Sequence, residues 1–138
     1  VDPSAELADE ELEPAPSQDA AGMLALLQAS RKAEGMTALR HDRRLDVLAR
    51  AHAEAMVRSG RVAHDVGDGD PATRAAGLGV SHVGENIARA PSVERLHAVL
   101  WDSPSHRENM LDGSFTLVGI AVVADTRGRM WAVQLLAQ

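Results

Sequence analysis

Apolar residues recur along this chain at two periods. Ala20, Met23, Leu24 and Leu27 fall at i, i+3, i+4 and i+7, one face of a helix. Asp19 is placed to cap that helix, and Gly35 to end it. Leu39 is expected to pack in the turn that follows. Asp42 is placed to cap a second helix that runs to about Ser59, with Gly60 beyond its end and an inner stripe of Leu45, Leu48, Ala49, His52, Ala53 and Met56. His52 on that stripe reads as a hydrogen-bonded core histidine rather than a ligand. Asp70-Pro71 opens a short third helix that stops at Gly77, with proline in the first turn, where its missing N–H costs nothing. Ser92 caps a fourth helix with Val93, Leu96, His97 and Leu100 inside, ending near Ser103. Pro104 then opens a separate short helix carrying His106 and Asn109.

The second period is that of strands. Residues 116–124 and 129–137 read as strands joined by a turn over 125–128. Val118, Ile120 and Val122 are apolar, but so are Leu117, Ala121 and Val123, so the first strand must be covered on both faces. The predicted class is α+β: a three-layer α-β-α sandwich with a small, mainly antiparallel sheet. Residues 77–84 read as a flexible glycine-rich stretch. No strand precedes it, which excludes a dinucleotide fingerprint. Glu85–Ala88 reads as extended. The loop 61–70 has the aspartates and glycines of a calcium loop without its spacing or its distant glutamate.

Composition narrows the partners. The chain has 138 residues, room for one domain, here expected over 19–138, preceded by an acidic, proline-containing tail or linker over 1–18. Residues 1–19 hold seven acids and no base, and the rest is near neutral. The tail is expected either to stay solvated or to fold back on the bases between Arg31 and Arg50. One Phe, no Tyr and no basic stripe exclude a usual nucleic-acid binder. The absence of cysteine excludes disulfides, thiolate metal sites and cysteine nucleophiles. The apolar run 117–124 is too short to span a membrane, and no signal-peptide pattern opens the chain, so any such peptide is expected to have been removed or never present.

The chemistry gathers around Ser103-Pro104-Ser105-His106-Arg107-Glu108-Asn109-Met110-Leu111. Upstream, His64 and Glu85 precede His106 at equal steps of 21 residues. Two histidines and a glutamate can hold Zn²⁺ with one open position, although such sites usually take two ligands from one helix, and these three lie on separate elements. The same groups could serve acid–base catalysis or hydrogen bonding alone. There is no G-x-S-x-G elbow, and Ser105 adjoins His106 too closely for a Ser–His pair.

The succession Ala63-His64-Asp65, Gly84-Glu85-Asn86-Ile87, Trp101 to Leu111 and Val118-Gly119-Ile120, with Leu26–Arg31 and Ala49–Ala53 before it, resembles the CAP superfamily (cysteine-rich secretory, antigen-five and pathogenesis-related proteins) in a bacterial, cysteine-free form. The resemblance covers about residues 22–138. It implies an α-β-α sandwich, secreted or in the cell envelope, with a cleft to which His64, Glu85 and His106 contribute. Two departures stand out. Pro104 occupies the place of the second glutamate of eukaryotic members, and Ser114 that of a histidine before Phe115-Thr116.

The resulting expectation is a non-enzymatic binding module whose cleft, lined by His64, Glu85, Asn86, His106 and Arg107, takes a small molecule, lipid, glycan or peptide. The rivals are a hydrolase, using a metal or the His64/Glu85 pair to activate water, and a purely structural domain. No cofactor is required. A divalent ion such as Zn²⁺ or Mg²⁺, on His64 and His106, is the candidate.

Overall fold

The computed structural model describes residues 17–138. The expectations for the acidic tail therefore lie, except for Ser17 and Gln18, outside the described residues. The first helix, α1 (Gln18–Ala33), is capped by Ser17, whose Oγ accepts from the Ala20 N–H at 3.1 Å. Asp19, expected as the cap, sits in the first turn instead, where its charge favours the helix N-terminus. Ala20, Met23 and Leu27 are buried as their spacing requires, and Arg31 is buried on the same face.

A two-residue strand, β1 (Arg40–His41), leads into α2 (Arg43–Ser59). Asp42 caps α2 through the Arg44 N–H, and Gly60 ends it at φ 71°. The short α3 (Pro71–Ala75) follows Asp70, whose carboxylate accepts from the Thr73 N–H at 2.8 Å. One 3₁₀ turn, Ala76–Leu78, extends it, and Gly79, not Gly77, supplies the left-handed stop at φ 73°. The strand β2 (Val83–Ala90) begins inside the stretch expected to be flexible. Helices α4 (Val93–Asp102) and α5 (Pro104–Leu111) are broken at Ser103, which is extended at φ −91°, ψ 118°. A residue before proline is driven out of the helical region, so the break follows from Pro104. The hairpin β3 (Leu117–Ala124) and β4 (Met130–Ala137) closes the chain.

The sheet order is β1-β3-β4-β2, with β4 antiparallel to both neighbours and β1 parallel to β3. Val118, Ile120 and Val122 pack into one core with α1 and α4. Leu117 and Ala121 pack into a second core with Leu45, Ala49, Ala53 and Met56 of α2. The strand apolar on both faces is thus covered on both, and the architecture is the three-layer sandwich expected. Each fully buried leucine in these cores contributes roughly 2 kcal/mol of transfer free energy.

Because β1 is so short, most of the outer edge of β3 has no strand partner. Asp46 of α2 takes over: its Oδ1 accepts from the Ile120 N–H at 2.8 Å, and its Oδ2 lies 2.6 Å from His41 Nε2. Burial raises the Asp46 pKa, and the bonds to Ile120 and His41 oppose that shift. On the other side, β2 is the free edge strand, and the candidate site lies along it.

Candidate functional site

Successive residues of a strand face opposite ways, so Glu85 and Asn86 of β2 look into different layers. Glu85 faces the α2 side, with a side chain wholly removed from solvent. A buried carboxylate needs partners, and Glu85 has several. Arg74 Nη2 donates to both of its oxygens, at 3.0 Å to Oε1 and 2.8 Å to Oε2. His64 Nδ1 lies 2.9 Å from Oε1, and His52 Nε2 lies 3.7 Å from the same oxygen.

The loop that presents His64 is held by its own aspartates. Asp65 accepts from the Gly67 and Gly69 N–H groups, and Asp68 from that of Val66. Arg74 reaches back to the carbonyls of His64 and Gly69, each at 3.0 Å. Asp68 Oδ2 lies 2.6 Å from Nδ1 of the buried His52, whose Nε2 lies 2.9 Å from the Ala63 carbonyl. Partial burial works against the Asp68 charge, but its hydrogen bonds to His52 and Val66 outweigh that, and its pKa is lowered. His52 is therefore a hydrogen-bonded core residue tying α2 to the loop beneath Glu85. The carboxylates that suggested calcium are engaged in turn and core bonds.

Asn86 faces the other layer and is completely buried. Its Nδ2 donates to the His106 carbonyl at 3.0 Å and to Gln134 Oε1 at 3.2 Å, and its Oδ1 accepts from Asn109 Nδ2 at 3.0 Å. Expected to line a cleft, Asn86 instead fastens α5 to the sheet and sets the height of His106. His106 is partly buried, with Nδ1 2.8 Å from Ser103 Oγ. Its pKa is lowered, first by burial and second by the charge of His64. The two imidazoles, supported from opposite layers, are thus within electrostatic reach of one another. Arg107 turns away: Nη1 donates to the Trp101 carbonyl at 3.2 Å and the guanidinium lies 5.9 Å from the Trp101 ring centre. Both of these contacts run to Trp101, back along the chain.

Sequence reasoning passes over Arg74 and Asp68. Arg74 belongs to a five-residue helix with no stripe to orient it. Asp68 suggests only a calcium ligand, although His52 on the facing stripe needs a polar partner. Ser105 is the hydroxyl adjacent to His106 in sequence, whereas Ser103, one helical turn before it, is the one His106 reaches.

The arrangement does not fit a divalent ion. A guanidinium already occupies both oxygens of Glu85, and no three His, Asp or Glu side chains among the described residues are grouped to hold a metal. Only two imidazoles, His64 and His106, would remain as donors, and three protein ligands are usual even for an open site.

Residues 24–136 match the family described as Cysteine-rich secretory protein family, CAP. The chain belongs to the CAP family. Its similarity to the Bacillus subtilis (strain 168) protein named "Uncharacterized protein YkwD" is 29% identity over 117 residues, 82% of this chain and 45% of that protein. The chain thus spans less than half the length of that relative. Among solved structures, an outer surface protein from Borrelia burgdorferi superposes with a TM-score of 0.83 at 18% identity, over 88% of this chain and 93% of that one. An extracellular protein containing a SCP domain from Bacillus anthracis str. Ames superposes with a TM-score of 0.76 at 23% identity, over 87% and 40%. At these identities the two structures establish the CAP sandwich fold and nothing finer.

Proposed function

We propose that this CAP domain is an extracellular or cell-envelope binding module that needs no metal and takes a polar ligand, a glycan or a peptide, at His64 and His106. The extracellular and outer-surface descriptions of its structural relatives support the location, and no helix of the described residues is long and apolar enough to cross a membrane.

One observation carries the binding reading. The His64 side chain is 54% exposed yet anchored through Nδ1 to a carboxylate that is fully buried and clamped by Arg74. A histidine that merely solvates a loop needs no such support. Fixing Nδ1 fixes the ring, as a carboxylate does for a functional imidazole, and leaves Nε2 without a hydrogen-bond partner among the described residues. Imidazole nitrogens donate or accept hydrogen bonds, which suits hydroxyl and amide groups of a polar ligand.

The test is an NMR titration of the imidazole signals with soluble cell-wall glycan fragments and short peptides. Saturable shifts at His64 and His106, abolished in a folded His64→Ala/His106→Ala variant, are expected. Unmoved signals with every fragment would overturn the reading.

A hydrolase has one observation in its favour, the 2.8 Å contact of Ser103 Oγ with His106 Nδ1. Among the described residues no acidic group orients His106 from its other nitrogen, which a triad supplies. Labelling of Ser103 by a fluorophosphonate, lost in Ser103→Ala, would favour that second account.

A further inference from the structure

Arg31 is a cation in the core. It projects from the buried face of α1 and is 2% exposed. Its Nε donates to the Thr37 carbonyl at 3.0 Å, and its Nη1 to the carbonyls of Met110 at 2.9 Å and Asp112 at 3.3 Å. These bonds use Nε–H and both hydrogens of Nη1. The two Nη2 hydrogens have no partner among the described residues.

The acceptors are neutral, and a buried charge is costly without a counter-charge. The Asp112 carboxylate acts on Arg31 through space but forms no hydrogen bond with it: its Oδ1 accepts from the N–H and hydroxyl of Ser114 at 2.8 and 2.7 Å, and its Oδ2 lies 3.9 Å from His82 Nε2. Arg31 lines a cavity of about 330 Å³ with Met36, Thr37, Ala38, Arg40 and Phe115. Arg40 is exposed at its rim, and its guanidinium has no ion pair or hydrogen bond among the described residues. The cavity shares no lining residue with the His64–Glu85–His106 group, and its volume is at the small end of ligand sites, roughly 300 Å³ and upward.

We propose that this cavity binds a carboxylate bearing a short apolar side chain. The carboxylate oxygens meet Arg31 Nη2 and the Arg40 guanidinium, and the apolar part lies against Met36, Ala38 and Phe115. Guanidinium groups recognise carboxylates through charge-assisted, often paired hydrogen bonds. A phosphate, with more oxygens to satisfy, would leave some of them against carbon. The same chemistry is offered by a free small acid and by the C-terminus of a peptide.

The experiment titrates the full chain with N-acetyl-leucine, with N-acetyl-leucinamide, and with a tripeptide ending in leucine whose C-terminus is free or amidated. Amide shifts of Thr37, Gly113 and Thr116 are followed, with the His64 ring as the control for the other site. The free acid should shift those amides saturably while the amide does not. Arg40→Gln, at an exposed position, should weaken binding about tenfold or more, the worth of a hydrogen bond to a charged group, with an unchanged melting temperature. Stronger binding of the free tripeptide identifies peptide C-termini as the source, and stronger binding of N-acetyl-leucine a small acid. Equal response to acid and amide, equal or stronger binding of inorganic phosphate, or no loss in Arg40→Gln would overturn the proposal. Failure here leaves the His64 and His106 reading untouched, because the two sites are read on different resonances.

Discussion

Arg74 Nη2 bridges the two carboxylate oxygens of Glu85, at 3.0 and 2.8 Å, with both side chains withdrawn from solvent. The two residues lie on a five-residue helix and an edge strand, eleven positions apart in the chain. The bridge fixes the orientation of everything that touches Glu85, His64 included.

Removing one partner of a buried ion pair leaves the other charged and unpaired, at a cost of roughly 3–5 kcal/mol. Arg74→Met should therefore lower unfolding free energy by about that amount, measured by urea denaturation. Arg74→Met combined with Glu85→Gln should recover most of it, because the stranded charge is gone. A double variant no more stable than Arg74→Met would show that Arg74 acts mainly through its bonds to the His64 and Gly69 carbonyls instead.

The electrostatic contact between His64 and His106 gives a second expectation. Burial first, and the His64 charge second, make His106 release its proton below the ordinary imidazole value near ~6.5. The folded state thus disfavours the proton relative to the unfolded chain. This group's contribution to stability is complete above the unfolded pKa and is lost as pH falls through the folded one. His64→Ala removes the second cause only, so the His106 midpoint should rise part of the way toward that of free imidazole. Ring-proton chemical shifts followed against pH measure it, and a midpoint unchanged by His64→Ala would mean that the rings do not face a common space.

These relationships also show what a one-dimensional reading can reach. The doubly apolar β3 demanded helices on both faces, and it has them, because burial is a local property of residue type. Pro104 broke α4 from α5 where steric rules require it. Which layer each polar group enters was harder. Adjacent Glu85 and Asn86 both read as cleft residues, yet the pleat sends them into opposite layers, and only Glu85 holds a solvent-exposed imidazole. Arg74 was invisible because its partner is set by how α3 packs on β2, a long-range fact with no period in the sequence. No residue spacing displays the contacts of Arg107 with the Trp101 carbonyl and ring, which depend on the break between α4 and α5.

The β3–β4 turn carries a pH dependence of its own. Asp125 accepts from Trp131 Nε1 at 2.9 Å, from Arg129 Nε at 2.8 Å, and from the N–H groups of Arg127 and Arg129. These bonds, that to Trp131 foremost, hold its carboxyl far below the usual carboxylate range. A depressed folded pKa contributes stability that is fully present above the unfolded value near ~3.9 and is lost as pH falls toward the folded one. Asp125→Asn should be less stable than the parent at neutral pH, and the difference should shrink as pH drops below about 4. Denaturant unfolding followed by Trp131 fluorescence at stepped pH reads this directly. A difference constant from neutral pH down to strong acid would remove the carboxylate charge from the explanation.

Two layers meet without any intervening side chain at Gly119. A Cβ there would overlap Leu45 Cβ, the Leu45 carbonyl carbon and the Asp46 nitrogen, so α2 rests on bare β3 backbone. Two of the three atoms are main chain and cannot rotate away. Gly119→Ala must therefore push the helix off the strand or bend the sheet, and overpacking of this kind costs typically ~1–3 kcal/mol. The shift would not stay local. The same helix carries Asp46, which satisfies the Ile120 N–H one residue along the strand, and His52, which anchors the loop of His64 through Asp68. Gly119→Ala should thus lower the urea midpoint and also weaken ligand-induced shifts at His64, some distance from the substituted position. Loss of stability with an unaltered His64 response would show that α2 accommodates the methyl group by local yielding at Leu45, and that the site is insulated from the helix beneath it.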